Sequence, residues 1–592
     1  MPPRGGRNGK LEKPKDAKGS LIRIIRYLLR YKYFVLFFLI CAFASNIGNL
    51  LGPKFAGNAI AEASAGVGKV DMAMVLKYVI FMLIAYVGSN ILNFFVNIGM
   101  MRVGRRVARN MRQDVFNKLL RMPVGYYHHN PAGDIISRVS YDIDVVSTSL
   151  STDIVQILTS VVTVVGSFIM MCTISLPLVA CMVLTIPISI IFTKQMGKIT
   201  RPRYSRRSAA YGEMNGFVEE MFTGQKTILG YAHEKAVCDE FSKINQKAAD
   251  AYYRADGLGM TMGPTIGMIS NFGLAGIGMG GAAMYLMNIV GLGQISSFVL
   301  YSRKFSGPIN EIANIINEIY SALAAAERVF ALLDQPEEAA DIYGAVELQN
   351  AEGRVEMENV NFGYVPGKTI LHDLSLSAKP GETIAIVGPT GAGKTTIISL
   401  LMRFYDINSG RILVDGKEIK EYTMASLRRN YAMVLQDTWL FRGTIFDNIA
   451  YGKEGATMEE VVEAAKAAHI HNYIMRLPEG YNTVITEDGG NISKGQKQLL
   501  TIARAMLFDT NMLILDEATS NVDTNTERRV QKAMRHLMAG KTSFVIAHRL
   551  STIQNADHIL VLDHGDVVEQ GTHESLMGQK GFYYRMYASQ FE

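Results

Sequence analysis

The sequence predicts a chain in two parts that face unlike solvents. An all-α membrane domain of six helices with long cytoplasmic helical extensions comes first, and an α/β domain built around a phosphate-binding loop follows. Three observations predict it. Four stretches without a charged side chain, Tyr33–Pro53, Tyr78–Met101, Ile154–Thr193 and Gly257–Ser302, fill the first half. After Leu333-Asp-Gln-Pro336 short apolar runs alternate with helical patterns, the signature of a mostly parallel sheet. Gly388-Pro-Thr-Gly-Ala-Gly-Lys394-Thr395 is a complete G-x-x-x-x-G-K-[ST] loop. At 592 residues, 48% apolar, with 54 Gly and a single Trp, the chain exceeds one compact domain.

Residues 1–20 are basic, with Gly and Pro, and read as a disordered N-terminus. No short apolar stretch with a small-residue cleavage site follows them before Lys54, so a cleaved signal peptide is not expected. Leu21–Arg30 alternates apolar and basic faces at helical period, which suits a helix in the headgroup layer or the first turns of span one. Tyr33–Pro53 holds 21 uncharged residues and Tyr78–Met101 holds 24, each close to the roughly 20 that cross a bilayer as a helix. Ile154–Thr193 with 40 and Gly257–Ser302 with 46 are too long for one helix. Breaks at Ser175-Leu-Pro177 and Asn288–Gly293 divide each into two, for six spans. The segment Arg102–Asp153 carries 8 Lys/Arg against 5 acids and Lys194–Asp256 carries 11 against 8, whereas the turns inside the long runs carry no charge. Basic loops stay in the cytoplasm, which places both termini there and the protein in the plasma (cell inner) membrane. Helical spacing at Val103-x-x-x-Val107-Ala108 and Phe217-Val218-x-x-Met221-Phe222 predicts that the membrane helices run on into those loops. The domains are read as 21–335 (membrane), 336–352 (linker) and 353–592 (α/β).

The net charge of +6 is modest, and no long basic face with interleaved aromatics occurs, which excludes nucleic acid as the partner. Cys41, Cys172, Cys181 and Cys238 lack C-x-x-C or zinc spacing and read as free thiols.

The phosphate loop lies between a predicted strand, Thr383–Val387, and a predicted helix from Thr395. In that context backbone N–H groups and a helix N-terminus converge on the β- and γ-phosphates, Lys394 adds charge, and the Thr395 hydroxyl can coordinate Mg²⁺. Asp516-Glu517 ends the apolar strand Met512–Leu515, placing one carboxylate by the metal and the next where it can polarise a water. His548 follows Val545-Ile-Ala, Gln436 follows Val434-Leu, and Phe362-Gly-Tyr364 offers an aromatic face. Each alone also fits a core tyrosine, a capping amide or a strand-end histidine. Their order and spacing argue for one site.

From about Gly353 to the end these motifs resemble the nucleotide-binding domain of ABC transporters, and residues 20–592 as a whole resemble the half-size exporters of that superfamily. The resemblance implies a P-loop ATPase domain with a helical subdomain, ATP and Mg²⁺ as cofactors, and a dimer of half-transporters. It implies Tyr364 as the adenine-stacking aromatic. Gly388, Thr390, Gly391, Ala392, Gly393, Lys394, Thr395 and Thr396 fall in the Walker A loop, and Gln436 is the Q-loop sensor of Mg²⁺. It further implies Asp516 as the Walker B metal aspartate, Glu517 as catalytic base, Ser520–Asp523 as the D-loop with Asp523 at the site, and His548 as the switch histidine. Pro131–Arg138 is similar to the first coupling region, and Thr223-Gly-Gln-Lys226 lies near the second. The Tyr126–His129 run reads as structural.

Where L-S-G-G-Q is the family pattern, this chain has Ile492-Ser493-Lys494-Gly495-Gln496. In the family this segment caps the ATP held by the partner. A glycine there supplies backbone freedom or close approach, and Lys494 supplies neither. Ser493, Gly495 and Gln496 remain for nucleotide contact. The asymmetry predicts a heterodimer, in which Glu517 and His548 serve a hydrolytic site completed by a different partner; a tolerated change in a homodimer is the alternative.

The substrate expectation is an amphipathic small molecule or a lipid. Met260, Met262, Met268, Met279, Met284 and Met287 suit an adaptable cavity, while Gly263 and Gly267, four apart, argue for close helix packing. No charge stands inside the uncharged runs, which disfavours ions. Export by alternating access is the reading, with a lipid flippase or a peptide exporter as alternatives. An ATP-gated channel or regulator needs regulatory sequence that the tail Lys580–Glu592 does not hold, and a peptide exporter's added protease domain does not fit in the first 30 residues.

Overall fold

The computed structural model describes residues 14, 16–66, 68–183, 185–436, 438–486, 491–516, 524–547 and 550–591. They form two compact units. One holds the described residues up to Met122 together with His129–Glu337, and the other holds Pro123–His128 and the described residues from Glu338 on.

The first unit is helical. Asp16 caps α1 (Ala17–Leu29), its carboxylate accepting from Gly19 N at 2.8 Å. One side of α1 is pinned by Arg23 to Asp334 (2.5 Å) and by the Tyr27 hydroxyl to Asp114 (2.7 Å), while Leu21, Ile22, Ile25 and Leu29 stay exposed, as an interfacial helix requires. The long passes are α2 (Lys32–Ala63) and α3 (Met72–Leu119). The next short helix, α4 (Val124–His129), belongs to the second unit but for its last residue, and in the first unit α5 (Ala132–Ser137) and a π-helical turn, Arg138–Asp142, lead into α6 (Ile143–Ile174). After Ser175 come α7 (Leu176–Val183), α8 (Thr185–Thr223), α9 (Gln225–Gly230), α10 (Glu234–Leu286) and α11 (Leu292–Leu333). Both breaks expected inside the long uncharged runs are present, the second with Asn288 in left-handed conformation (φ 55°). α2, α3, α6 with its lead-in, and α10 are long and apolar enough to cross a membrane; the fourth pass falls on α7 and α8, which flank residue 184, outside the described residues.

The sixth pass corrects the sequence reading. Counting uncharged residues stops at Ser302, yet α11 continues through Arg303 and Lys304 to Leu333. At 1.5 Å per residue Arg303 stands roughly 16 Å from Leu292, about the middle of a 30 Å hydrocarbon core. Lys304 Nζ lies over the Tyr86 ring, 5.6 Å from its centroid. The packing reading of Gly263 and Gly267 also fails within the chain, because a Cβ on either would meet nothing within 4 Å.

α2, α3, α6 and α11 form the packed bundle, and α8 and α10 pair mainly with each other. Close approach of α2 and α11 depends on glycine: a Cβ on Gly293 would lie 2.2 Å from Gly57 O. Around Pro53, which cannot donate inside α2, Tyr301 donates to Leu50 O (2.7 Å) and Ser297 to Pro53 O (2.9 Å). Arg328 on α11 forks onto buried Asp142 at 2.9 and 2.5 Å, the bidentate geometry that makes burying such a charge tolerable. Cys41, Cys172 and Cys238 are free thiols.

The second unit layers two sheets. The antiparallel one runs Leu371–Ala378, Val355–Phe362, Ser409–Val414, Lys417–Glu418. The six-stranded one has the order Asp566–Gly571, His558–Asp563, Thr383–Val387, Thr542–Ile546, Met512–Asp516, Tyr431–Val434, parallel except for its first, hairpin strand. Four of these strands are continuous apolar runs because both faces are covered. A helical portion, including Ile445–Ala450, Met458–Ala467 and Lys494–Phe508, packs on one face.

Two substitutions check the packing. Gly293→Leu is expected to lower stability by about 1–3 kcal/mol through overpacking, read as a fall in melting temperature in detergent, whereas Gly88→Ala, with open space around it, leaves the melting temperature unchanged. Arg328→Ala leaves the Asp142 carboxylate buried and is expected to cost about 3–5 kcal/mol on the same assay.

Candidate nucleotide site

Three parallel strands, Thr383–Val387, Met512–Asp516 and Tyr431–Val434, end at the same edge, aligned through Ile546↔Asp516, Ile546↔Ile386 and Val434↔Leu515. Ligands of open α/β sheets bind at such carboxyl ends. The loop Gly388–Gly393 joins the first strand to α12 (Lys394–Leu401). Gly388, Gly391 and Gly393 all take positive φ (150°, 86° and 100°). At Gly388 a side chain is excluded twice, since a Cβ would also lie 2.2 Å from Leu562 O.

Lys394 folds back over this loop, its Nζ donating to Gly388 O (2.7 Å) and Pro389 O (2.9 Å). Burial pushes its ammonium below the ordinary lysine range, and the Asp516 carboxylate pushes the other way. Asp516 itself is buried at its strand end. Thr395 is exposed on the first turn of α12 and Thr396 buried behind it; Gln436 is exposed two residues past its strand. Glu517, Asp523 and His548 lie outside the described residues, as do Ser520–Val522. Thr395, Asp516 and Gln436 are hard oxygen donors, a set that fits Mg²⁺ better than a soft metal.

Tyr364 stands edge-on to Phe362 (5.0 Å) and Tyr405 (4.9 Å), and its hydroxyl donates to Thr396 Oγ1 at 3.2 Å. This ties the aromatic to the helix that follows the phosphate loop. Tyr405 escaped the sequence reading. It packs against Tyr364 and bonds to His128 Nδ1 at 3.1 Å within the second unit. The only available signal was its neighbour Phe404 at the helix end.

The segment Ile492–Gln496 changes the argument about Lys494. Ser493 is the N-cap of helix Lys494–Phe508: its hydroxyl accepts from Gln496 N (3.4 Å), and Gln496 Oε1 accepts from Ser493 N (3.0 Å), a reciprocal capping box. Lys494 is thus the first helical residue, exposed, and neither it nor Gly495 is among the residues with positive φ. The position demands no glycine backbone.

Residues 35–309 match the ABC transporter transmembrane region family and residues 371–520 the ABC transporter family. Over 476 residues the chain is 45% identical to a fatty acid ABC transporter ATP-binding/permease protein of Mycobacterium bovis, covering 80% of this chain and 75% of that one. The chain belongs to the ABC transporter family. A probable multidrug resistance ABC transporter ATP-binding/permease protein of Bacillus subtilis is 35% identical over 87% of this chain and 77% of its own. The structure of a bacterial Atm1-family ABC exporter with ATP bound superposes with a TM-score of 0.75 at 29% identity, across 95% of this chain and 99% of that one. This ABC transporter is an ATP-hydrolysing, multi-pass exporter of the multidrug/lipid type, and such half-transporters act as dimers.

The loop geometry predicts an ordered pair of effects. Gly388→Ala, blocked by Leu562 O, is expected to abolish binding of a fluorescent ATP analogue and to lower the melting temperature. Gly391→Ala, strained in φ but unobstructed, costs about 1–3 kcal/mol and retains weakened binding.

Proposed function

We propose that this ABC transporter exports amphipathic small molecules, lipid-like ones included, across the plasma (cell inner) membrane by alternating access, with both termini in the cytoplasm. The observation that carries the reading is the length of the helices. α10, with 53 residues, is about 80 Å long, some 50 Å more than a bilayer core needs, and α3 has 48. Such rods carry closure of the ATPase units into the membrane. The two relatives are named for fatty acids and for drugs, which share amphipathic chemistry.

In the ATP site the loop N–H groups and Lys394 would hold the phosphates and Tyr364 would stack on adenine, while Thr395, Asp516 and Gln436 would hold Mg²⁺, whose charge would offset that of the phosphates. Asp523 lines the site, Glu517 orients the attacking water and His548 holds the γ-phosphate. The partner is a second half-transporter whose signature segment completes the pocket. We propose a different chain in that role. With no glycine backbone needed at 494, the case rests on the Lys494 side chain, a long cation in the position where the family pattern has no side chain.

Glu517→Gln in the assembled transporter is expected to lower ATP turnover by about 10²–10⁴ while ATP stays bound, measured by phosphate release and nucleotide trapping; wild-type turnover would remove Glu517 from the base role. The chain purified alone is expected to hydrolyse ATP weakly and Lys494→Gly to raise that rate several-fold. Full turnover of the unmodified chain alone would establish the homodimer instead.

A further inference from the structure

We propose that Tyr405 and His128 are positioning residues for recognition of the ATP base, setting the orientation of the Tyr364 ring; the proposal rests on the reading of Tyr364 as the aromatic that takes adenine. Tyr364 is 36% exposed, and an isolated ring there would give up its rotational freedom only when a base bound. Two neighbours restrict it beforehand. Buried Phe362 lies 5.0 Å away at 84° and half-buried Tyr405 4.9 Å away at 82°, with 5.8 Å between those two rings. Near-perpendicular contacts at this spacing are a favoured aromatic arrangement. Phe362 belongs to the same strand end as Tyr364, so it is Tyr405 that fixes the ring against the rest of the site.

Tyr405 is placed by the helix that opens from the phosphate loop. The chain leaves α12 through Arg403 in left-handed conformation (φ 49°), which returns Tyr405 to Tyr364, while the Tyr364 hydroxyl reaches Thr396 on the first turn of the same helix. The ring is thus held from both ends of α12. The backbone needs no tyrosine for this. Asn408 N donates to Asn361 O (3.0 Å) and Asn408 Oδ1 accepts from Gly363 N (2.7 Å), so the segment after α12 is fastened to the strand end whatever stands at 405. The Tyr405 hydroxyl is left to His128 Nδ1 at 3.1 Å. α4 also closes on the ring itself, since a Cβ on Gly125 would lie 3.0 Å from Tyr405 Cε1. The run Tyr126–His129 therefore contributes a side chain to the frame of the base site. A ring restrained in advance lowers the ordering cost of binding, so loosening it weakens the hold on the base and leaves the hold on the phosphates unchanged.

The test displaces a fluorescent ATP analogue from the assembled transporter with ATP and with inorganic tripolyphosphate, which has the phosphates and lacks the base. Y364A is expected to weaken ATP on the order of tenfold or more and Y405A on the order of tenfold, neither changing tripolyphosphate. Y405F keeps the ring and loses the hydroxyl. It and H128A are each expected to weaken ATP about threefold, with no further loss in the double variant, because both break the same bond. Equal loss of both ligands in Y405A would mark a folding role and overturn the proposal. Unchanged ATP affinity in Y405F and H128A, or losses that add in the double variant, would overturn it too. Y364A separates the two readings. If it loses the preference for ATP over tripolyphosphate while Y405A keeps it, the adenine reading stands and the Tyr405 assignment falls; if Y364A keeps that preference, the adenine reading falls and takes the assignment with it.

Discussion

The turn from strand Thr383–Val387 into α12 is the constraint on which the rest of the molecule depends. It must aim successive backbone N–H groups at one point without disturbing a parallel sheet, and it does so with three residues in left-handed conformation that only glycine adopts cheaply. Everything near it is placed relative to that turn. Lys394 closes over its carbonyls, the next strand but one delivers Asp516, and Tyr364 is fastened through Thr396 to the same helix.

The membrane unit obeys a different economy. Backbone groups are satisfied within each helix, which leaves side chains to decide how the helices meet. Around Pro53, which lies inside α2, α11 supplies the Tyr301 and Ser297 hydroxyls, and the two helices come close enough to exclude any side chain at Gly57 and Gly293. A forked Arg328–Asp142 contact sits beside the π-helical turn that opens α6. These contacts make the bundle a stiff body, which is what long helices need if they are to transmit motion rather than absorb it.

Much of this was legible in the sequence because it follows from strong local rules. Spans follow from gaps between charges, the breaks at Ser175 and Asn288 from Pro and Asn, and the sheet from apolar runs of strand length. The misreadings came where a local rule stops short of three dimensions. Charge counting ended the sixth span at Ser302, but the helix continues through Arg303 and Lys304. A glycine in a family pattern suggested special backbone at 494, but the capping box of Ser493 and Gln496 builds an ordinary helix start, and φ is not written in a sequence. Tyr405 belongs to the aromatic cluster only through the fold. For Glu517, Asp523 and His548 the argument remains one of order and spacing.

The central claim is that ATP is hydrolysed only when two transporter halves close on each other. The most direct measurement is the ATPase rate of nanodiscs sorted to hold either one half or an assembled pair at equal total protein. The account predicts phosphate release from the pairs and none above background from discs holding a single chain. Single-chain discs that hydrolyse ATP at the same rate per site as the pairs would contradict it.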